Sequence, residues 1–236
     1  MESKIKEKVE QIKRDPIGYW IGMGDAGEFI TPSDPRWSVG VIADWVHEDN
    51  IAEDQTNWYC NMYAPIVDKC IVKLEGNHED AIRVHNHIDV QKNMCQRLGV
   101  KNGGYSCWVR FRFRRKGSSE THLIDGVFTH GSGSAITKGA KMNRLERFMD
   151  AFNARIYAIG HMHDIILEPG KAYLDLDVNN VIKQRKKVGA ITGCYFATYQ
   201  QGVRASYGER RSYPPTEIGS PMFTIYPDKD ILKVEA

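Results

Sequence analysis

The sequence predicts an α/β fold, in which strands and amphipathic helices follow one another along the chain. Several short apolar runs have the length and composition of buried strands. Four of these runs end directly in clusters of polar residues: Gly24-Asp25, Gly76-Asn77-His78-Glu79, His130-Gly131 and Gly160-His161-Met162-His163. Because ligands bind beyond the carboxyl ends of the strands in open α/β sheets, we expect these clusters to form one functional site.

The composition is that of an ordinary globular chain. Among 236 residues, 42% are hydrophobic and 26% are charged, and a formal net charge of +2 gives no argument for a nucleic-acid partner. No apolar stretch is long enough to span a bilayer, and the charged amphipathic N-terminal segment does not resemble a secretory signal. No linker interrupts the pattern, so we expect a single domain over residues 1–236, in the cytoplasm and without a membrane partner.

The cysteines fit the same compartment. Their number is odd and no Cys-x-x-Cys spacing occurs, which indicates reduced thiols and disfavours a cysteine-based zinc site. They are Cys60, Cys70, Cys95, Cys107 and Cys194.

The first hundred residues predict a helix, two strands and further helices. Ile5, Val9 and Ile12 share one face of a helix over Glu2 to Arg14, which Asp15-Pro16 ends. The further elements are a strand over Tyr19 to Met23, helices within residues 39–63 including one near Asn57 to Ala64, a strand over Lys69 to Leu74, and one helix over Asp80 to Leu98 that Gly99 stops.

The remaining residues predict more strands. Alternation over Tyr105 to Arg115 places Val109, Phe111 and Phe113 on one face of a strand and Arg110, Arg112 and Arg114 on the other. The later elements are a strand over His122 to Thr129, a helix over Lys141 to Phe152, a strand over Arg155 to Ile159, several short strands, a loop-rich stretch from Gln200 to Pro221, and a last strand over Phe223 to Tyr226.

The four polar clusters carry residue types that bind divalent metals. Asp25 offers a carboxylate that can bridge two cations, and Asn77 offers a neutral carbonyl oxygen. His130, His161 and His163 offer imidazole nitrogens. Each cluster alone would be interpreted as a turn aspartate, a helix-capping asparagine or a surface histidine pair. The joint occurrence of the four clusters, each after an apolar strand, favours a metal site. His122, in contrast, lies within a predicted strand, and we interpret it as structural.

Together these motifs resemble the calcineurin-like metallophosphoesterase superfamily. The resemblance runs from the first helix to about Asp164, roughly two-thirds of the chain. The segments Leu98-Gly99-Val100 and Gly104-Tyr105-Ser106 look like the branch found in phages and prokaryotes. The resemblance implies two packed mixed β-sheets flanked by helices.

The resemblance also implies roles for individual residues. Asp25 would bridge two metals, and His78 would be the general acid, so these two are the predicted catalytic residues. The second metal would be completed by Asn77, His130 and His161, and the first by His163. Asn77, His78 and Arg204 are the predicted contacts to substrate. Manganese is the favoured ion, with iron, nickel and zinc as alternatives.

The sequence departs from the family at its first motif. No Asp-x-His precedes Gly24-Asp25, and the chain opens on the helix that should follow that strand. We therefore expect the first strand and its two ligands to be missing, through truncation, a misplaced start or natural loss. Asp25 and His163 alone would then hold the first metal, so we expect one metal to bind well and a second weakly.

Two other groups are considered as replacements for the missing pair. Asp44 and His47 lie close together in a predicted helix, and His85-Asn86-His87 follows the general-acid motif. We interpret His85 and His87 as a polar helix face near the mouth of a cleft.

The predicted function is metal-dependent hydrolysis of a phosphomonoester or phosphodiester. A metal-bound hydroxide would attack phosphorus while His78 protonates the leaving group. One alternative is a non-catalytic scaffold with a degraded site. Another is a DNA-directed nuclease that uses the arginines of the strand over Tyr105 to Arg115; a second basic cluster comprises Arg204, Arg210 and Arg211.

Overall fold

The computed structural model describes residues 2–34, 36–37, 42–199, 201–202 and 205–236, with the backbone alone for residue 207. The chain divides into two compact units, each with helices and strands. Unit 1 comprises Met1–Ser106 and Tyr195–Thr216, and unit 2 comprises Cys107–Cys194 and Glu217–Ala236. The fold is therefore mixed α/β, as predicted, and the expectation of one domain over residues 1–236 stays a prediction.

The elements follow in chain order. They are α1 (Glu2–Arg14), β1 (Trp20–Gly22), α2 (Ile51–Tyr63), β2 (Cys70–Lys73), α3 (Asn77–Asn86), α4 (Val90–Leu98), β3 (Ser106–Arg114), β4 (Thr121–Thr129), α5 (Lys138–Ala151), β5 (Ile156–Ile159), β6 (Ile165–Leu176), β7 (Ile182–Thr192), α6 (Tyr207–Arg210), β8 (Met222–Tyr226) and β9 (Ile231–Glu235). Short 3-10 helices cover Ala64–Lys69 and Pro227–Lys229.

In unit 1, the predicted first helix and the first two strands are confirmed. Val9 is buried on the apolar face of α1, where it packs with Trp20 and Ile66. β1 and β2 pair in parallel as a two-stranded sheet. Their carboxyl ends therefore lie at the same edge: the loop after β1 carries Asp25, and the loop after β2 leads to Asn77 at the start of α3.

The single helix predicted over Asp80 to Leu98 is wrong, because the structure has two helices there. His87 adopts a left-handed conformation with φ 58° and ends α3. Asp89 then begins α4, where its side chain accepts a hydrogen bond from the backbone N–H of Lys92 at 2.8 Å. Gly99 ends α4 with φ 65°, as predicted.

The helix predicted to contain Asp44 and His47 is also wrong. Both residues lie outside any helix, and α2 begins only at Ile51. The imidazole Nδ1 of His47 lies 2.8 Å from Asp54 Oδ2, and the backbone N–H of His47 donates to the same oxygen. His47 is thus held at the start of α2.

Unit 2 is built on a five-stranded mixed sheet with the order β3-β4-β5-β7-β6. β5 is parallel to both of its neighbours, and β6 is antiparallel to β7. All four residues of β5 are buried. From α5, Leu145 and Met149 join the same core as Tyr157 and Ile191. The five-stranded sheet agrees with the predicted α/β class, and the two-sheet sandwich stays a prediction.

The alternation predicted for β3 is confirmed. Val109, Phe111 and Phe113 are partly buried, while the arginines between them are exposed. The short strands predicted after Ile159 are wrong, because β6 and β7 form a hairpin of 12 and 11 residues.

The outer part of that hairpin lacks the apolar pattern of a buried strand. It is exposed, and ion pairs between the strands, such as Arg185 with Asp175 at 2.8 Å, occupy positions that a buried strand would fill with apolar side chains. At the end of the chain β8 is confirmed, and its antiparallel partner β9 was not predicted. Within the described residues, no helix is both long and apolar enough to cross a membrane.

Candidate metal centre

Asp25 lies in the loop that follows β1, in a backbone conformation that few residue types adopt. Gly24 and Asp25 have φ values of 88° and 52°. A left-handed conformation costs an ordinary L-residue about 1–2 kcal/mol, although aspartate tolerates it better than most. The surrounding structure must therefore hold this loop in place.

The buried carboxylate of Glu79 supplies that support. It accepts hydrogen bonds from the backbone N–H groups of Asp25 at 3.0 Å, Ala26 at 2.8 Å and Gly76 at 2.9 Å. Glu79 is only 1% exposed. Hydrogen bonds to an ionised acceptor are stronger than neutral ones. Glu79 thus fastens the loop after β1 to the loop after β2.

Glu79 rests in turn on a buried polar network. The Lys73 ammonium lies 3.4 Å from Glu79 Oε1 and donates to the side-chain oxygen of Gln91. The Gln91 amide donates back to the Lys73 carbonyl at 3.1 Å. Lys73 also lies over the ring of Tyr59, 5.2 Å from its centroid. The sequence contained Glu79 as the last residue of a motif but gave no role to Lys73 or Gln91.

Gly76 is required by the close approach of these two loops. A Cβ atom at this position would lie 2.1 Å from Asp25 Oδ1 and 2.3 Å from the Asp25 backbone nitrogen. Real Cβ atoms do not approach other atoms so closely, so any side chain here would displace Asp25. The first residue of the Gly76-Asn77-His78-Glu79 motif must therefore be glycine for a steric reason.

Asn77 and His78 form the first turn of α3. The backbone N–H of His78 donates to Asp25 Oδ1 at 3.1 Å, where the positive end of the helix dipole also favours a carboxylate. The imidazole Nδ1 of His78 lies 2.7 Å from the Glu28 carbonyl oxygen. Because a carbonyl only accepts, Nδ1 carries the hydrogen, which leaves Nε2 to exchange a proton with a substrate.

Tyr105 is a neighbour of Asp25 that sequence reasoning did not assign to the site. Burial raises the pKa of the Tyr105 phenol, and the charge of Asp25 raises it further.

In unit 2, His130 follows β4 and is only 1% exposed. The next residue, Gly131, has φ 82°, and a Cβ there would lie 2.6 Å from Ile159 Cγ2. The turn after β4 therefore packs directly against the end of β5, which fixes the direction in which His130 leaves the sheet.

His161 and His163 follow β5, both in left-handed conformations with φ 63° and 50°. The side chain of Met162 between them is buried in the apolar core. His161 Nδ1 lies 3.3 Å from His130 Nε2, and the ring centroids of His161 and His163 are 6.4 Å apart. Strained backbone conformations of this kind cluster at functional sites.

A buried ion pair supports the turn that carries these histidines. Lys141 of α5 lies 3.2 Å from the carboxylate of Asp164, the residue after His163. The Asp164 carbonyl accepts a hydrogen bond from the backbone N–H of Gly193 at 2.9 Å. The sequence placed Lys141 in a helix but gave no indication of this contact.

Within unit 2, His130 and His161 bring two imidazole nitrogens to 3.3 Å from each other, so this pair could hold a metal ion. The assignments of Asp25, Asn77 and His163 as metal ligands stay predictions. Arg204, the predicted substrate contact, lies outside the described residues.

The arginines of β3 are only partly available for binding phosphate. Nε and Nη2 of Arg110 each donate to one oxygen of the Asp125 carboxylate at 2.8 Å, and this hydrogen bonding lowers the pKa of Asp125. Arg112 and Arg114 are exposed.

His122 of β4 lies 3.5 Å from the Glu120 carboxylate, so its surroundings are those of a surface ion pair. His85 and His87 are exposed at the end of α3.

No protein-family model, curated protein or solved structure matches this chain. The resemblance to metallophosphoesterases therefore rests on the sequence motifs alone.

Proposed function

We propose that this protein is a divalent-metal-dependent phosphoesterase that hydrolyses a phosphomonoester or phosphodiester. The observation that carries the proposal is the pair of imidazoles of His130 and His161 in unit 2, whose nitrogens lie 3.3 Å apart, and we propose the Asp25 carboxylate as a further ligand. Carboxylate oxygen and imidazole nitrogen are the donors that manganese, iron, nickel and zinc accept in proteins.

The two histidines of unit 2 have a spacing that suits a shared ion. Two nitrogens that are each about 2.1 Å from one ion lie about 3 Å apart at a right angle and about 3.4 Å apart in a tetrahedron. The observed separation of His130 Nε2 and His161 Nδ1 is 3.3 Å. We propose Asn77 as a further ligand, and His163 with Asp25 as a weaker second site.

A bound divalent ion would neutralise charge on the phosphate and lower the pKa of a water molecule. The protein's own contribution is proton transfer by His78. The Glu28 carbonyl holds the proton on Nδ1, so the imidazolium can give its Nε2 proton to the departing ester oxygen. This step leaves a neutral imidazole and an alcohol.

The other two functions have less support. A scaffold would not need a histidine whose tautomer is fixed by a carbonyl. A nuclease would need the basic face of β3, and there Arg110 is already paired with Asp125 at 2.8 Å.

The test is hydrolysis of p-nitrophenyl and phenyl phosphates, which differ in their leaving group, each as the monoester and as the diester. With manganese, we expect the wild-type protein to hydrolyse both aryl compounds in at least one of these two forms. His78→Ala should lower kcat by about 10²–10⁴-fold for a substrate that needs protonation. The loss should be greater for phenyl phosphate, because phenolate is the poorer leaving group.

His122→Ala is the matched control, since His122 lies in β4 and contacts a surface carboxylate. It should keep wild-type turnover. Equal activity of His78→Ala and wild type, or no manganese-dependent turnover of the diester and monoester forms of these substrates, would contradict the proposed function.

A further inference from the structure

We infer that Glu79 is a positioning residue for the metal-ligating carboxylate of Asp25, and that Lys73 and Gln91 hold Glu79 in place. This inference rests on the proposed function in one respect, namely that Asp25 binds a metal. The arrangement of hydrogen bonds around Glu79 stands independently of it.

The first step of the argument is the number of bonds that converge on one carboxylate. The backbone N–H groups of Asp25 and Ala26 come from the loop after β1, and that of Gly76 comes from the loop after β2. All three lie within 3.0 Å of a Glu79 oxygen. One side chain therefore joins two loops that are more than fifty residues apart in sequence.

The second step is that no other acceptor can easily replace Glu79. Glu79 is 1% exposed, so water has little access to the N–H groups that it binds. A buried N–H group without an acceptor is costly. Without Glu79, the loop would lower its energy by leaving the left-handed conformation of Asp25, and the Asp25 carboxylate would move with it.

The third step is the position of Lys73 beneath this carboxylate. Its side chain is 1% exposed and that of Glu79 is 0% exposed. A fully buried ion pair is a poor source of stability, because desolvation offsets most of the attraction. The pair does provide a directed contact. Gln91 binds both the ammonium and the carbonyl of Lys73 and so fixes the position of the ammonium. The Glu79 carboxylate, which contacts that ammonium, is thereby held in one position.

The charge and the shape of Glu79 are both required by this geometry. An ionised carboxylate has only acceptors, whereas a glutamine side chain replaces one oxygen with an amide that only donates. In Glu79→Gln, the amide group would meet loop N–H donors in either orientation, and at the Oε1 position it would also meet the Lys73 ammonium, which is a donor as well. We therefore expect this variant to release the Asp25 loop although the side-chain volume is unchanged.

The experiment compares Glu79→Gln with Glu75→Gln, which makes the same chemical change near the same loop. Glu75 pairs with Arg83 at 3.2 Å and does not bind the Asp25 loop in the described hydrogen bonds. Manganese affinity is measured by calorimetry. Amide hydrogen exchange of the metal-free protein is measured by NMR at Asp25, Ala26 and Gly76.

We expect Glu79→Gln to weaken manganese binding at least tenfold and to speed exchange at the three amides at least tenfold. Exchange at Met94, a fully buried residue of α4, serves as the reference for general destabilisation and should change less. Glu75→Gln should leave both measurements at wild-type values. Glu79→Asp keeps the charge on a shorter side chain, and it should give an intermediate loss even if Glu79→Gln does not fold.

Three results would contradict the positioning role of Glu79, its hydrogen bonds or the metal site. Wild-type manganese affinity in Glu79→Gln, with faster exchange at the three amides, would overturn the positioning role. Unchanged exchange at these amides would overturn the hydrogen bonds themselves. Absence of manganese binding in the wild type, together with the expected exchange pattern, would refute the metal site and still support Glu79 as the clamp of the Asp25 loop.

Discussion

The candidate ligands in the two units are supported in different ways. In unit 1, the loops of Asp25 and His78 depend on a buried polar network of Lys73, Glu79 and Gln91. In unit 2, His130 and His161 follow strands whose neighbourhood is almost entirely apolar. Unit 1 should therefore be sensitive to changes of charge, and unit 2 to changes of volume.

The difference follows from the sheets. β1 and β2 are three and four residues long and pair with each other, and β2 is further paired only with the short segment 101–104 among the described residues. Ladders so short provide few hydrogen bonds to hold the loop that carries Asp25. β5 lies between two parallel neighbours and is buried throughout, so the turn after it needs less polar support.

The largest expected effect is that of Lys73→Met. Removing the cation leaves the Glu79 charge buried without its partner, and breaking a buried ion pair in this way costs about 3–5 kcal/mol. Urea unfolding would measure the change in the free energy of unfolding. The double variant Lys73→Met/Glu79→Gln, which removes both charges, should be more stable than Lys73→Met alone.

The change in the free energy of unfolding of the double variant should differ from the sum of the changes in the two single variants, because groups in contact do not give additive effects. A change equal to that sum would contradict the interaction between Lys73 and Glu79.

A similar loss of stability should follow from a change of volume in unit 2. Leu145→Ala removes a fully buried side chain of α5 from the core that includes Tyr157, which should cost about 2–5 kcal/mol. Arg147→Ala, an exposed position of the same helix, should change stability by less than about 0.5 kcal/mol. Equal effects of the two variants on urea unfolding would mean that α5 does not support the sheet.

A smaller effect on stability, but a large one on metal binding, is expected for Gly76→Ala. The new methyl group would lie 2.1 Å from Asp25 Oδ1, so Asp25 must move and manganese affinity should fall at least tenfold. Gly139→Ala is the control. Its Cβ would meet no atom within 4 Å, and alanine in a helix is more stable than glycine by about 0.5–1 kcal/mol. Wild-type manganese affinity in Gly76→Ala would show that Asp25 is not a ligand.

The smallest expected effect lies at the tip of the β6–β7 hairpin. The hydrogen bond from Lys183, followed by those from backbone N–H groups, lowers the pKa of Asp177 from 3.8 to about 2. Because the folded pKa is the lower one, Asp177 stabilises the hairpin fully above pH 3.8, and this contribution is lost as the pH falls through about 2.

Carbon-13 NMR of the Asp177 carboxyl group measures this titration directly. Lys183→Met should move the midpoint upward. A midpoint near 3.8 in the wild type would show that the turn does not bind the carboxylate.

The sequence predicted the elements whose pattern is local. The alternation in β3 and the apolar face of α1 each depend on a side-chain period that is visible in the sequence. The break between α3 and α4 was missed, because His87 and Asp89 end and begin helices without a glycine or proline between them. The length of β7 was missed because its outer half is exposed and charged.

For the candidate site, the sequence predicted the ligands but not the residues that hold them in place. Asp25, His130 and His161 were predicted as metal ligands because such ligands must be particular residue types placed at strand ends, and their metal binding stays a prediction. Their supports were not predicted, since Lys73 and Gln91 contact Glu79 through tertiary packing that has no period in the sequence. Glu79 itself was visible as the end of a motif, and its three backbone contacts were not.

The measurement that tests the central claim most directly is a manganese titration followed by electron paramagnetic resonance of the free ion. We expect one tightly bound equivalent in the wild type, its loss in His161→Ala, and its retention in His163→Ala, since His161 pairs with His130 and His163 is proposed only for the weaker site. A wild-type protein without a tight equivalent, or a His161→Ala protein that keeps it, would contradict the assignment of the His130–His161 pair to a metal site.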